Sequence, residues 1–120
     1  MRHVNNAVYL TYLEQARYAY WLELTGARRG ELPGIILARV ECDFKKPLKP
    51  GDWVDVWLST TRIGRSSFTI DYKIVDEDGR VAATARSVQV MYDYAAAKPT
   101  AMPEWLRARM EEYEGRTLST

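Results

Sequence analysis

Tyr9, Tyr12, Leu13, Ala16 and Tyr20 recur at i, i+3, i+4, i+7 and i+11, the spacing of one helical face. This predicts a helix over residues 7–24. Leu10, Trp21 and Leu24 widen the apolar arc, so the helix is expected to be wrapped by other elements rather than laid on a surface. Asn5 or Asn6 supplies the N-cap and Gly26 the stop.

Beyond residue 35 the period becomes two. Ile36, Ala38, Val40, Cys42 and Phe44 alternate with polar or small neighbours, predicting a strand over 36–44. "KPLKPGD" reads as a turn, with two prolines and a glycine. Val54, Val56 and Leu58 then alternate with Trp53, Asp55, Trp57 and Ser59, and Phe68, Ile70, Tyr72 and Ile74 with Thr69, Asp71 and Lys73. "RIGR" at 62–65 closes a hairpin between them, and "DEDG" at 76–79 closes the next, with Gly79 free to take a positive φ. Residues 81–92 form a long strand, "AAAKPTAMP" a loop, and Pro103 opens a terminal helix with Leu106, Met110 and Tyr113 on one face. The expectation is a single α+β domain over residues 1–120, with an antiparallel meander curled around one long helix. Both faces of the strands carry apolar residues, since Trp53 and Trp57 lie opposite Val54 and Val56. The face away from the helix is therefore expected to be covered too, most simply by a second copy of the chain.

Composition narrows the partners. Of 120 residues, 47% are hydrophobic and 28% charged, an ordinary globular balance in which the core is thin and self-association adds burial. A net charge of +1 provides no field toward nucleic acid or an anionic membrane. No apolar run approaches the roughly 20 residues of a membrane span, and no secretory signal is visible. The one cysteine, Cys42, excludes an intrachain disulfide and fits a cytoplasmic protein. One cysteine and one histidine argue against a zinc site, and no phosphate-cradling glycine pattern is present. The expectation is a protein without metal or cofactor.

The segment "HVNNAVYLTYLEQAR" resembles the opening of the central helix in acyl-CoA thioesterases of the hotdog fold, in the 4-hydroxybenzoyl-CoA thioesterase-like superfamily. "DFKKPLKPGDWVDVW" resembles that family's second strand, turn and third strand, and "RIGRSSFTIDYKIVDEDGRVAATA" its next hairpin. The likeness runs over about residues 3–104 of the 120. It implies a sheet wrapped around the helix, subunits joined edge to edge, active sites at subunit interfaces, and an acyl-CoA as substrate. It also implies a further first strand and an Asp-x-x-Gly just ahead of "HVNN", whose Asp acts as nucleophile or general base in several members. Arg2 stands where that Gly would be, and the Asp would precede Met1. The expectation is that Met1 is an internal methionine of a chain shortened relative to the family, with weak or absent hydrolysis and reduced stability in these 120 residues; a genuinely short, catalytically altered member is the rival.

Thioester hydrolysis needs a base or nucleophile, an oxyanion donor and a groove. By motif position the oxyanion donor is the backbone N–H of Asn6 at the helix start, where N–H groups are unpaired; Asn5 and Asn6 also serve as plain caps. His3 is a candidate base and, more ordinarily, a packed structural group. Glu14 is the helix carboxylate. Eight residues at about 1.5 Å rise put it about 12 Å from Asn6, so it serves catalysis only across a subunit interface, and an i,i+3 pair with Arg17 is its plainer role. Cys42, on the apolar parity of its strand, reads as a buried small hydrophobe. In "RIGRSS", Arg62 and Arg65 suit CoA phosphates, Gly64 allows close approach, and Ser66 and Ser67 offer hydrogen bonds; an ordinary basic hairpin tip is the equal alternative. Lys45, Lys46 and Lys49 read as a solvated turn. Beside the thioesterase reading stand a non-catalytic acyl-CoA-binding or scaffold dimer, a purely structural oligomer, and release of acyl groups from acyl carrier protein.

Overall fold

The computed structural model describes residues 6–48 and 51–118. The first helix, α1, spans Asn6–Thr25, and a 3-10 segment follows at Gly26–Glu31. The strands are β1 (Gly34–Phe44), β2 (Val54–Ile63), β3 (Ser67–Asp76), β4 (Val81–Asp93) and the two-residue β5 (Lys98–Pro99); α2 spans Glu104–Glu114. Gly26 ends α1 with φ +49°, as its lack of a Cβ permits, but the chain winds on as 3-10 before extending.

The sheet is antiparallel with order β1-β4-β3-β2, and β5 pairs with β4 inside the segment expected to be loop. Only β2, β3 and β4 form a meander. β1 and β2 lie at opposite edges, so "KPLKPGD" is part of a crossing connection and not a hairpin turn. Its described part is anchored: the N–H groups of Lys45 and Lys46 donate to the carbonyl of Ala82, Leu48 is buried, and the Tyr9 hydroxyl donates to the carbonyl of Lys46 at 2.9 Å. The first half of α1 therefore sits against this crossing. Proline and glycine content marks a chain reversal but not its span.

Paired residues share a face of an antiparallel sheet. Phe68, Ile70, Tyr72 and Ile74 of β3 oppose Gln89, Ser87, Ala85 and Ala83 of β4, and these in turn oppose Leu37, Val40, Cys42 and Phe44 of β1. A bulge between Leu37 and Arg39 switches the parity of β1, so Ile35 and Leu37 face inward and Ile36 and Ala38 do not. The uninterrupted alternation expected from Ile36 to Phe44 is corrected accordingly. Both hairpins form as expected. Gly79 has φ +81°, and the Asp76 carboxylate accepts from the N–H groups of Asp78 and Arg80, each at 2.9 Å. The same carboxylate pairs with Lys46, tying this hairpin to the crossing segment; Lys46 is not merely solvated.

The core forms where α1 and α2 lie on the sheet. Tyr9, Leu13, Tyr20 and Leu24 of α1 meet Phe68, Ile70 and Ile74 of β3, with Leu106 and Met110 of α2 fully buried. Burial of each such side chain stabilises by about 1.5–3 kcal/mol. Leu10 is 41% exposed and Tyr113 50%, so neither belongs to the covered face expected of it, although Tyr113 still meets the edge of Tyr20. Gly115 caps α2 in the left-handed conformation, its N–H and that of Arg116 both bonding to the carbonyl of Glu111.

Candidate functional site

The helices cover only part of the sheet. Leu37, Val40 and Phe44 of β1 face inward, yet they remain 46%, 37% and 43% exposed, because α1 lies over β2 and β3. The gap between α1 and β1 is a cavity of about 270 Å³. Its walls include Arg17 and Trp21 from α1, Leu37 from β1, Phe68 and Ile70 from β3, and Gln89 from β4. Trp21 stacks on Phe68, with ring centroids 5.9 Å apart and planes within 6°, giving one flat apolar wall. Glu14 stands on the same wall as Arg17.

A line of polar side chains runs behind the cavity. Arg17 Nη1 donates to the Tyr72 hydroxyl at 3.0 Å, Tyr72 bonds Ser87 Oγ at 2.5 Å, Ser87 Oγ bonds Gln89 Oε1, and Gln89 Nε2 donates to the carbonyl of Phe68 at 3.1 Å. Arg17 thus turns to Tyr72. Among the described residues no ion pair joins it to Glu14, which corrects the expected i,i+3 pair. The physical reason is position: Arg17 is half-buried over the sheet, where a hydroxyl is available, while Glu14 is exposed. Tyr72, Ser87 and Gln89 are not among the site residues expected from the sequence. A signal for them exists, since Ser87 and Gln89 share the inward parity of Ala83, Ala85 and Met91 in a central strand.

The tip 64–67 between β2 and β3 immediately precedes Phe68, which lines this cavity. It is held from three sides. Arg107 Nη2 donates to the carbonyl of Gly64 at 2.8 Å, Met102 N to that of Arg65 at 2.8 Å, and Met91 N to that of Ser66 at 2.7 Å. A Cβ on Gly64 would lie 3.1 Å from Ser67 Oγ, so the tip is closely folded on itself. Ser66 and Ser67 are half-buried and Arg65 is exposed on this fixed backbone, whereas Arg62, also exposed, pairs with Thr69 and so belongs to the sheet face away from Phe68 and Ile70.

His3 and Asn5 lie outside the described residues. Asn6 is the first residue of α1, so its N–H belongs to the unpaired first turn. The structure does not bring Asn6 to "RIGRSS". The start of α1 lies near Phe44, whose ring meets Tyr9 at 5.0 Å, whereas Trp21 lies at Phe68 beside the tip. Fifteen residues of helix separate Asn6 from Trp21, about 22 Å. Within one protomer the candidate oxyanion donor and the candidate phosphate contacts stand at opposite ends of α1.

Cys42 faces inward but is half-buried, and burial raises its thiol pKa, which disfavours the nucleophilic thiolate. On the outer face, a shallow depression of about 470 Å³ holds Glu41, Asp71 and Arg86, but Arg86 and Asp71 already neutralise one another at 2.7 Å. Among the described residues no group of three or more His, Cys, Asp or Glu side chains is placed to hold a metal ion. None of the described helices is long and apolar enough to cross a membrane.

Known proteins agree with this architecture. A thioesterase from Thermus thermophilus, solved in complex with coenzyme A and Zn, superposes with a TM-score of 0.84 at 35% identity, over 96% of this chain and 84% of that one. The protein YsmA of Bacillus subtilis is 24% identical over 96 residues, 80% of this chain and 65% of its own length. A 1,4-dihydroxy-2-naphthoyl-CoA hydrolase of Synechococcus elongatus is 25% identical over 71 residues, 59% of this chain. The chain thus spans 65% and 52% of the lengths of these two curated relatives. The profile of the thioesterase-like superfamily matches residues 1–110, and with its α1 helix laid on an antiparallel sheet in the hotdog manner, this chain belongs to that superfamily.

Proposed function

We propose that this chain is a subunit of a cytoplasmic, homo-oligomeric acyl-CoA thioester hydrolase. The observation that carries the reading is the apolar cavity between α1 and β1, whose wall residue Phe68 directly follows a fixed hairpin tip carrying Arg65, in a chain of this superfamily. The acyl group enters the cavity, and Arg62 and Arg65, with Gly64, Ser66 and Ser67, receive the CoA phosphates and pantetheine arm. Water attacks the thioester carbonyl carbon, the oxyanion is held by the Asn6 N–H at the helix start, the C–S bond breaks, and the CoA thiolate leaves with a proton, giving the free acid. No metal or cofactor is required by this scheme.

The separation of Asn6 from the hairpin tip favours a site shared between two copies, with the helix start of one subunit facing the cavity of the other. β1 suits that junction, being a sheet edge with inward apolar side chains left uncovered. Glu14, on the cavity wall, is the described carboxylate best placed to serve a partner's helix start; the resemblance otherwise puts the base ahead of His3, with His3 and Asn5 in supporting roles.

The test is thiol release from acyl-CoA thioesters by the intact protein, followed with a thiol reagent. The expected result is turnover, with KM raised about tenfold when Arg62 and Arg65 are both replaced by Ala, the loss of charge-assisted contacts to phosphate. Binding of CoA thioesters without release by the wild type would instead support a non-catalytic acyl-CoA-binding protein. Neither binding nor release would overturn both readings.

A further inference from the structure

Three consecutive carbonyls of the hairpin tip, those of Gly64, Arg65 and Ser66, all accept bonds from the body of the protein. The bond to Ser66, from Met91 N–H, extends the pairing of β3 with β4. The other two lie outside that pairing and set how the tip is turned. A tight turn is ordinarily closed by a bond from the N–H of its fourth residue to the carbonyl of its first. Here Gly64 N–H donates to the Ser67 carbonyl at 2.8 Å, but Ser67 N–H returns no bond to the Gly64 carbonyl. Arg107 Nη2 takes that acceptor at 2.8 Å, and Met102 N–H takes the Arg65 carbonyl.

A trans peptide unit carries its C=O and its N–H on opposite sides. With the Gly64 and Arg65 carbonyls turned toward Arg107 and Met102, the N–H groups of Arg65 and Ser66 are turned away from them. Neither N–H has an acceptor among the described residues. Two successive outward N–H groups beside the exposed Arg65 side chain suit an anion. The Arg107 side chain is only 18% exposed, a costly place for a guanidinium unless it is hydrogen-bonded. Its ion pair with Glu104, at 4.0 Å to a 91% exposed carboxylate, is a weak reason for that burial. Leu106 and Met110, both fully buried, fix α2 on the sheet, so Arg107 is presented from a rigid element. A cation buried against a loop carbonyl points to a requirement on the geometry of the loop.

We propose that Arg107 is a positioning residue for the CoA phosphates: by turning the Gly64 carbonyl inward it aims the Arg65 and Ser66 N–H groups outward, where a phosphate is received. Arg107 itself touches neither phosphate nor thioester. Without it, the Gly64 carbonyl is free to take the Ser67 N–H, the ordinary turn closes, and the peptide unit between Gly64 and Arg65 rotates. The inference rests on the acyl-CoA reading above and deepens it by naming the group on α2 that shapes the phosphate contact.

Calorimetry with CoA and with pantetheine, which lacks the phosphates, tests this on the intact protein without requiring turnover. The wild type is expected to bind CoA about tenfold or more tightly than pantetheine. Arg107→Ala is expected to lower the affinity for CoA about tenfold and that for pantetheine by less than about twofold. Arg107→Lys, which restores a donor, is expected to stay within about threefold of the wild type for CoA. An equal loss for both ligands would make Arg107 a tether of α2 only and overturn the inference. Unchanged CoA affinity in a folded Arg107→Ala overturns it as well, and leaves the hydrolase reading standing. A second arm needs no variant to fold: in the wild type, the amide resonances of Arg65 and Ser66 are expected to shift on addition of CoA and not of pantetheine. Amides that stay in place while CoA binds overturn the inference. Binding of neither ligand overturns it together with the reading it rests on.

Discussion

The two halves of one sheet face are finished differently. Over β2 and β3, two helices close the face and its polar groups are paired off. The Tyr20 hydroxyl bonds Thr60 at 2.6 Å and donates to Glu114 at 2.7 Å, and Glu114 also accepts the Thr60 N–H at 3.0 Å. Burial, then the bond to Glu114, pushes the Tyr20 phenol pKa well above its usual value, so it remains a neutral hydroxyl across the working pH range. Over β1 the same face is left open, with the large apolar side chains Leu37, Val40 and Phe44 exposed. A chain this size can leave only a limited apolar area unburied. It does so on the β1 side, and the side closed by the helices carries the stability. An uncovered region of a core face is thus a better guide to a binding site than polarity alone.

The contrast is broken most severely from the closed side. Leu106→Ala, at a side chain with 0% exposure, is expected to cost about 2–5 kcal/mol by transfer and cavity terms, read in a denaturant melt. Leu37→Ala on the open side is expected to change the same melt by less than about 0.5 kcal/mol. Similar losses at both positions would mean that the two halves are not distinct. Next in size is Glu114→Gln, which removes a charged acceptor shared by Tyr20 and Thr60. A loss of about 1–3 kcal/mol is expected, as for a hydrogen bond to a charged group.

A smaller effect is pH-dependent and belongs to the hairpin end of the sheet. Lys46 first, then the Arg80 and Asp78 N–H groups, hold the Asp76 pKa below its usual 3.8. Because the folded pKa is depressed, the carboxylate contributes its full stability above the ordinary value and loses it as pH falls through the folded one. Asp76→Asn should therefore flatten the acid limb of the stability profile and leave the neutral-to-basic limb parallel to the wild type. An unchanged acid limb would mean that the Lys46 pair is not maintained in solution.

Much of this frame is legible in the residues. The 3.6-residue spacing of Tyr9, Leu13 and Tyr20 marks the buried face of α1, and the alternation from Phe68 to Ile74 marks the inward face of β3, because both elements have uniform partners. β1 departs from its expected alternation at Ile36 and Ala38 because a bulge changes parity without a local sequence mark: neither glycine nor proline stands at 37–39. The crossing between β1 and β2 departs from the expected turn of a meander because turn residues report that a chain bends, not which edge it reaches. The cavity is assembled from α1, β1, β3 and β4, so no single segment contains it. Ser87 and Gln89 are its readable trace: two polar residues at positions a core would fill with apolar ones.

The central claim is that the open face beside β1 receives the acyl group of a CoA thioester. The most direct measurement is thiol release by the intact wild type and by Leu37→Trp, which fills the cavity from its exposed wall. The account predicts turnover by the wild type and a fall in kcat/KM of about a hundredfold in the variant, with an unchanged melt. Equal turnover by a folded Leu37→Trp would place the acyl group elsewhere and contradict the account.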